Sequence, residues 1–273
     1  MTASREPYEG RAIRAFAREL TAWREQLGIS KAELAARLGY DASLVGQIEA
    51  CKNIPSRKFA EDCDTFFPCA GAFVRYWDDI EEERDLSLLP PGFPDFLARE
   101  AKATVVHVYE ASIITGLFQT PEYAYEILKI SYPPDKARSL LEMRMARAAI
   151  LEREKPPTTV VVFDESAVLR RIGDRDVMRG QYKRLIEVSQ LFNVSVQVVP
   201  MEAGAYPGIM GSFSVLGFES GPNVAYSEGH VGGLLTEHRP AVREYEVSFD
   251  LIRGVAKSAS DSLKLFREAL EAL

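Results

Sequence analysis

Residues 30–49 read SKAELAARLGYDASLVGQIE and have the pattern of two short helices joined by a glycine turn. Ser30 and Glu33 are spaced as a capping box, in which the Ser30 hydroxyl accepts the Glu33 N–H and the Glu33 carboxylate accepts the Ser30 N–H. A first helix is therefore predicted from about Lys31. It ends at Gly39, because glycine adopts the left-handed conformation without a steric penalty.

A second helix is predicted to begin after Asp41 and to stop near residues 53–55. Both helices carry an apolar face at three- and four-residue spacing. The residues of these faces are Leu34, Ala35, Leu38, Leu44, Val45 and Ile48. Two short helices with such a turn cross steeply and approach most closely at Ala35, where a larger side chain would separate them. The combination favours a helix-turn-helix motif over an ordinary helical hairpin.

On these residues, and on the apolar helix faces that precede and follow them, residues 13–67 resemble the Cro/repressor (XRE) family of helix-turn-helix domains. The resemblance implies a bundle of about five helices that binds double-stranded operator DNA, with the second helix of the motif in the major groove. The sequence departs from the family at Cys51, where glycine is usual. The turn there is then either strained or not left-handed.

The resemblance also implies which residues contact DNA. The predicted DNA-binding residues are Ser30, Lys31, Arg37, Ala42, Ser43, Gly46, Gln47, Lys52 and Asn53. Ser43 and Gln47 carry groups that pair with base edges, whereas Ala42 and Gly46 offer only small apolar or backbone surface. Few direct contacts to base edges are therefore expected, so DNA shape and half-site spacing carry more of the specificity. Phosphate contacts are expected at the start of the first helix and just after the second.

The chain has 273 residues, of which 47% are hydrophobic, enough for two buried cores. Its net charge of −7 is uneven, because residues 1–60 hold ten Lys or Arg against seven Asp or Glu and the remainder is strongly acidic. A basic first part suits DNA, and an acidic second part suits regulation or protein contact.

No apolar run spans a membrane, and the first ten residues lack a secretion signal. Three cysteines without CxxC spacing indicate reduced thiols in a cytoplasmic protein.

The expected fold class is α+β overall, with an all-α helix-turn-helix N-terminal domain followed by a mixed α/β C-terminal domain. The first domain is predicted at 10–85, a linker, LSLLPPGFPDF, at 86–96, and the second domain at 97–273. The acidic run at 78–85 is expected to be a solvated helix face. Strands are predicted at 105–109, 158–163, 194–199, 212–218 and 224–226. Helices of the second domain are predicted at 121–129, 136–154, 176–192 and 242–273, the last one broken near Gly254.

Several phrases in the second domain resemble the C-terminal domain of the WhiJ-like or Scr-type actinobacterial regulators, which are often described as antitoxin-like. They are GLFQTPEYA at 116–124, FDESAVLR at 163–170, QVVP at 197–200, GAYPG at 204–208 and GSF at 211–213. The resemblance covers most of 98–265. It implies regulation of a DNA reader through a small partner protein encoded nearby, and it implies no established chemistry.

We expect no enzyme activity, no cofactor and no metal. The chain has three histidines, His107, His230 and His238. They lie far from one another and from the cysteines in sequence, which does not suit zinc. Asp164 and Glu165 follow a strand and offer a carboxylate pair for acid or metal chemistry, but Asp164 is more simply interpreted as a helix cap. The glycine-rich residues 204–211 lack a phosphate-binding frame and are interpreted as a wide loop.

The sequence therefore predicts a DNA-binding transcriptional regulator that acts as a homodimer, because one helix in one groove specifies too few base pairs. Its C-terminal domain is expected to control DNA binding through a partner protein or a ligand. Two alternatives remain open. One is an antitoxin-like protein that mainly sequesters a small basic partner, and the other is a hydrolase domain fused to a DNA reader, with Asp164 and Glu165 as its carboxylates.

Overall fold

The computed structural model of the protein describes residues 10–86 and 89–273. The chain forms two compact units, Met1–Ser87 and Leu88–Leu273, each with its own hydrophobic core. The first is helical and the second contains a six-stranded mixed sheet, so the predicted α+β class is confirmed. The N-terminal segment 1–9, for which no secretion signal is expected, and positions 87–88 of the predicted linker lie outside the described residues.

Residues 10–86 form a bundle of five helices, as the sequence predicts. They are α1 (Arg11–Gln26), α2 (Lys31–Leu38), α3 (Ala42–Glu49), α4 (Arg57–Phe66) and α5 (Ala72–Leu86). Each helix contributes apolar side chains to one core, in which Phe16, Phe59 and Phe73 are fully buried. Ala35 is also fully buried, in agreement with the expected close approach of α2 and α3.

The helix boundaries of the motif follow its local signals. The Ser30 hydroxyl accepts the Glu33 N–H at 3.1 Å, and the Asp41 carboxylate accepts the Ser43 N–H at 2.8 Å. The second half of the predicted capping box is wrong, because the Glu33 carboxylate pairs instead with Arg37 at 2.5 Å. Residues four apart lie on adjacent turns, and a charged guanidinium is a stronger donor than a backbone N–H.

The acidic run at 78–85 does more than face solvent. The two carboxylate oxygens of Glu83 accept the N–H groups of Arg11 at 2.9 Å and Ala12 at 2.8 Å. They thereby cap the first turn of α1, whose N–H groups have no partners within the helix. These hydrogen bonds, the one from Ala12 foremost, lower the pKa of the Glu83 carboxyl. A purely solvated helix face is therefore wrong for this residue.

The second unit is a sheet with helices on both faces. Its strands are β1 (Val105–Glu110), β2 (Thr158–Asp164), β3 (Val194–Val199), β4 (Phe213–Gly217), β5 (Val224–Glu228) and β6 (Gly233–Thr236). Its helices are α6 (Phe93–Glu100), α7 (Pro121–Ser131), α8 (Pro134–Ala148), α9 (Glu165–Leu169), α10 (Arg175–Val188), α11 (Arg239–Val255) and α12 (Ala259–Glu271). The strand order is β3-β2-β1-β4-β5-β6. Strands β1 to β3 pair in parallel, and β4 to β6 join by antiparallel pairing.

The last four residues of the predicted linker at 86–96 belong to α6. Pro94 lies in the first turn of this helix, where the missing proline N–H costs nothing. Phe96 is buried and stacks on Tyr226 with 4.4 Å between ring centres, which anchors the helix to the sheet. Prolines thus mark a helix start here, whereas the sequence pattern suggested a linker.

Five strands lie within two residues of their predicted positions, β6 was missed, and α9 was anticipated only through the predicted Asp164 cap. Both elements are short, and β6 has neither alternation nor β-branched residues before its last position. The predicted helix at 136–154 begins at Pro134 and ends at Ala148, followed by a 3-10 turn. The predicted break in the C-terminal helix is confirmed, and it lies between α11 and α12.

Residues 204–211 form a loop, as predicted, and the loop contains a 3-10 turn, Pro207–Met210. Gly208 in this turn lies against Tyr109 of β1. A Cβ atom at Gly208 would lie 2.4 Å from the rings of Tyr109 and Tyr206, so only glycine fits there. The hydroxyls of these two tyrosines lie 2.8 Å apart in a hydrogen bond.

Cys51 resolves the alternatives left open for the turn after α3. Its φ is +53°, so the turn is left-handed although the residue is not glycine. The left-handed conformation costs an L-residue with a Cβ roughly 1–2 kcal/mol, whereas Gly39, at φ +80°, adopts it without that cost. The thiol is half-buried, 4.0 Å from the carbonyl oxygen of Ile13. Cysteine therefore holds a strained position at the end of the motif.

We predict that Cys51→Gly is more stable than Cys51→Ala by about 1 kcal/mol, because both variants lose the thiol and only alanine keeps the strain. Urea unfolding followed by tryptophan fluorescence measures this difference selectively, since Trp23 and Trp77, the two tryptophans of the chain, both lie in the first unit. At Ala36, on the exposed face of α2, the order should reverse, with Ala36→Gly destabilising by about 1 kcal/mol. Equal stability of the two Cys51 variants would contradict the strain.

Candidate nucleic-acid interface

A partly buried ion pair fixes the recognition helix α3 to the rest of the bundle. The Arg24 guanidinium, on α1, donates to both Glu49 carboxylate oxygens, at 2.6 and 3.2 Å. It also donates to the carbonyl of Ile29 at 3.1 Å, in the segment that leads into α2. Lys31, on α2, adds a third contact to Glu49 at 3.0 Å. One carboxylate therefore ties together all three helices that position the motif.

The charge of Glu49 depends on these partners. Its side chain is only 4% exposed, and burial alone raises the pKa of a carboxyl group. Hydrogen bonds from Arg24 and Lys31 more than offset burial and leave the pKa of Glu49 below its usual value. The ionised carboxylate is therefore the form that stabilises the motif.

The first half of α3 presents its predicted base-reading residues to solvent. Ala42, Ser43 and Gln47 are exposed, and Gly46 is half-buried. The Ser43 hydroxyl already donates to the Asp41 carboxylate at 2.6 Å, which leaves its oxygen as an acceptor. Within 10–86 and 89–273 the Gln47 amide makes no hydrogen bond, so both its donor and its acceptor groups face outward.

The predicted phosphate-contacting residues Ser30, Lys31, Lys52 and Asn53, together with the predicted DNA-binding residue Arg37, divide into two groups. Ser30, Lys31 and Arg37 have internal roles, since Ser30 caps α2 and the two cations pair with Glu49 and Glu33. An ammonium has three donors and a guanidinium has five, so both cations retain free N–H groups. By contrast, Lys52 is exposed and Asn53 half-buried, and neither side chain hydrogen-bonds to another described residue.

A row of cations on α1 was not among the residues predicted to contact DNA. Arg11, Arg14 and Arg18 are exposed, spaced by one helical turn, and among the described residues none of their side chains forms an ion pair. All three line a groove of about 820 Å³ that also contacts Cys51, the residue just before Lys52. The spacing of these arginines was readable from the sequence, but their place beside the end of α3 depends on how the helices pack.

The carboxylates proposed for hydrolysis have structural partners. Asp164 caps α9 by accepting the Ser166 N–H at 2.8 Å, and it accepts the Tyr206 hydroxyl at 2.5 Å. Burial raises the pKa of Asp164, but the hydrogen bonds from Ser166 and Tyr206 outweigh it and lower the pKa overall. Glu165 accepts the Met201 N–H at 2.8 Å. The capping interpretation of Asp164 is therefore confirmed.

The histidines are placed apart. His107 stacks on Phe249 with 4.6 Å between ring centres, and burial lowers its pKa. His238 lies at the N-terminal end of α11, and His230 is exposed. In the part of the chain that the structure describes, no three His, Cys, Asp or Glu side chains come together as a metal site would require. The cysteines Cys51, Cys63 and Cys69 are free thiols.

The bundle and its exposed α3 define the first unit as a helix-turn-helix DNA-binding domain. In agreement, residues 15–72 match the family described as "Helix-turn-helix domain". Residues 93–268 match the family described as "Domain of unknown function (DUF5753)", and the chain belongs to this family. No curated protein matches the chain. Across residues 10–86 and 89–273, no helix combines the length and apolar character needed to cross a membrane.

We predict that Glu49→Gln destabilises the first unit by about 3 kcal/mol near neutral pH, because it leaves the buried Arg24 charge with only the exposed Glu25 carboxylate, at 3.3 Å, as a partner. The pKa of Glu49 is lower in the folded protein than in the unfolded chain, so its contribution is present above the unfolded value. It is lost as pH falls through the folded value. The loss should therefore shrink in acid, below about pH 4.

Urea unfolding monitored by tryptophan fluorescence between pH 7 and pH 3 measures both effects. Glu61→Gln is the matched control, because Glu61 pairs with Arg57 on the exposed side of α4 and such pairs contribute less than about 1 kcal/mol. A Glu49 variant as stable as this control at pH 7 would contradict the role assigned to the ion pair.

Proposed function

We propose that the protein is a sequence-specific transcriptional regulator that binds operator DNA as a homodimer. In this proposal its C-terminal unit controls DNA binding through a small partner protein or a ligand. The observation that carries the proposal is the exposed first half of α3, which presents Gln47 with no internal hydrogen bond. Gln47 is the one long polar side chain among the four residues expected to face the bases, and it suits adenine in the major groove.

The surrounding cations supply the phosphate contacts in this proposal. Lys52 and Asn53 lie directly after the motif, and the arginines of α1 extend the same basic surface along the groove beside Cys51. Lys31 and Arg37 contribute their remaining donors while they keep their internal pairs. Because phosphate contacts carry affinity and base contacts carry specificity, the two kinds of residue are separable by experiment.

The C-terminal unit supplies the regulatory part. Its resemblance to the WhiJ-like or Scr-type regulators suggests control by a partner encoded nearby, and its acidic composition suits a basic partner. Helix α11 also exposes Val247, Leu251 and Val255 at four-residue spacing, and their exposed fractions are 42%, 56% and 43%. An exposed apolar stripe of this kind is typical of surfaces that bind another protein chain.

We predict that Gln47→Ala relaxes the preference at one base position and costs about 1–3 kcal/mol at the preferred sequence. Lys52→Ala should instead weaken binding to all sequences and reduce the slope of log K against log salt by about 0.9. Binding of full-length variants to the DNA upstream of the gene and to scrambled DNA, across a salt series, measures both. Lys264→Gln, on α12 and paired with Glu268, should change neither.

If Gln47→Ala left affinity and base preference unchanged, the assignment of this residue would be wrong. If the wild-type protein bound upstream and scrambled DNA equally at all salt concentrations, the proposed function itself would fail.

We predict that the product of the neighbouring small gene changes DNA affinity about 5–150-fold, the range of an ordinary allosteric coupling. Leu251→Glu should abolish this effect without weakening DNA binding in its absence, because it places a charge in the apolar stripe of α11. Phe192→Glu is the matched control, since Phe192 is 92% exposed and lies on a different element. An unchanged affinity on adding the neighbouring product would contradict control by that partner.

A further inference from the structure

A group of charged side chains lies at one end of the sheet in the second unit. We call it the charged cluster, and its members are Glu100, Glu110, Arg144, Arg147, Tyr226 and Glu228. Strand pairing sets Tyr109 beside Phe213 and Phe213 beside Ser227. The next residues are Glu110, the last residue of β1, and Glu228, the last residue of β5. They therefore lie at the same end of the sheet. Nothing in DNA recognition uses these residues.

The cluster lies where the strand order of the sheet reverses. From β1 the chain adds β2 and β3 on one side, and it then returns to place β4 on the other side of β1. In open α/β sheets, ligands bind beyond the carboxyl ends of the strands at such a reversal, because the connecting segments diverge there. Glu110, the last residue of β1, occupies this position.

Arg144 is a half-buried cation without a carboxylate partner. Its guanidinium donates to the Gln119 side-chain oxygen at 2.9 Å, and the Gln119 amide is itself held by a 2.6 Å hydrogen bond to the carbonyl of Ile114. Among the described residues, no carboxylate lies within ion-pair distance of Arg144. Burial lowers the pKa of this guanidinium, which shows how unfavourable the site is for an uncompensated charge.

Arg147, one turn further along α8, is paired but keeps a donor free. Its Nε and one terminal nitrogen bind both oxygens of the buried Glu100 carboxylate, at 2.5 and 2.7 Å. Its other terminal nitrogen, Nη1, lies 3.4 Å from where a Cβ atom at Gly116 would be, and Arg144 Nε lies 3.8 Å from the same point. Both guanidinium groups thus converge on Gly116, and that of Arg147 also lies over the rings of Phe93 and Phe96, 5.3 and 5.4 Å from their centres.

The opposite side of the cluster offers acceptors. The pKa of Glu110 is raised to about 7, chiefly by burial and also by the neighbouring Glu228 carboxylate, whereas the Ser212 hydroxyl and the Arg147 charge oppose the shift. The Tyr226 hydroxyl is buried and has no hydrogen-bond partner among the described residues. Buried hydroxyls without partners are rare, since desolvation of the group costs about 1–3 kcal/mol.

The balance of charge selects the class of ligand. The charges of Arg147 and Glu100 neutralise each other. The remaining charges are the positive charge of Arg144 on one side and the carboxylates of Glu110 and Glu228 on the other. A dianion such as phosphate would meet two carboxylates, and a simple cation would meet Arg144. A zwitterion satisfies both sides and adds no net charge to a site in which Arg144 and Glu110 are half-buried and Glu228 is exposed.

We propose that the charged cluster binds a small zwitterion of the amino-acid type. The ligand carboxylate lies against Arg144 and the free Arg147 donor, and the ligand ammonium lies against Glu110 and Glu228. The inference goes beyond the DNA-binding proposal and does not depend on it.

Binding should be stronger above neutral pH, because the ammonium pairs with the ionised form of Glu110. The charged and titratable groups that face this carboxylate come from neighbouring elements of the unit. They include Arg144 and Arg147 on α8, Glu228 on β5 and Tyr123 on α7.

Calorimetric titration and thermal shift of the full-length protein with the standard L-amino acids test the proposal. At least one should bind, and blocking its amine by acetylation or its carboxylate as an amide should each weaken binding about tenfold or more. Arg144→Gln should have a similar effect, whereas Arg138→Gln, an exposed arginine on the same helix, should have none. Glu110→Gln should remove the dependence on pH between about 6 and 8.

The two blocked ligands keep the test decisive even if a cluster variant fails to fold. Binding of the blocked and unblocked forms with equal affinity would overturn the proposal. So would binding of inorganic phosphate in preference to any amino acid, or the absence of binding by every amino acid tested. All of these outcomes are independent of whether the protein binds operator DNA.

Discussion

The geometry of the DNA-binding unit depends on the carboxylate of Glu49. It is the last residue of α3, and its partners Arg24 and Lys31 belong to α1 and α2. A short helix of eight residues has little intrinsic stability in water, so its direction must come from tertiary contacts. Apolar packing around Ala35, Val45 and Ile48 supplies burial, but packing alone tolerates small rotations of one helix against another. A bidentate ion pair does not tolerate such rotations, because both hydrogen bonds form only when the guanidinium and the carboxylate lie close to one plane. The exposed face of α3 is therefore held at a fixed angle.

Local signals explain why so much of this fold was predictable from sequence. The Ser30 cap, the Gly39 turn and the Asp41 cap each act within three residues, and all three were confirmed. The strands of the second unit were found because buried strands have continuous apolar runs. What sequence could not provide were contacts between residues far apart in the chain. Glu83, on the last helix of the bundle, caps the first turn of α1. The placement of the α1 arginines beside Cys51 depends on helix packing. The order of the strands brings Glu110 and Glu228 to one end of the sheet, and this order cannot be predicted from hydrophobic periodicity either.

The two units use polar groups in different ways. In the first unit, buried charge is fully compensated, since Arg24 and Glu49 satisfy each other and the remaining polar groups of α3 face solvent. In the second unit, Asp164 and Tyr206 are likewise satisfied by each other, yet Arg144 is hydrogen-bonded only to the uncharged Gln119 side chain, and the Tyr226 hydroxyl has no hydrogen-bond partner among the described residues. A folded domain seldom retains uncompensated buried polar groups without a functional reason.

One edge of the sheet sets a limit on how copies of the chain can join. Along β3, the Val198 N–H donates to the Ser262 hydroxyl at 3.0 Å, and the Val198 carbonyl accepts the Lys257 N–H at 2.8 Å. The connection between α11 and α12 therefore occupies the edge that a foreign strand would need. At the opposite edge, β6 is four residues long, and its Gly233 N–H donates to the Pro91 carbonyl at 2.8 Å. Backbone groups of both outer strands are therefore already occupied, which disfavours the addition of a foreign strand to either of them.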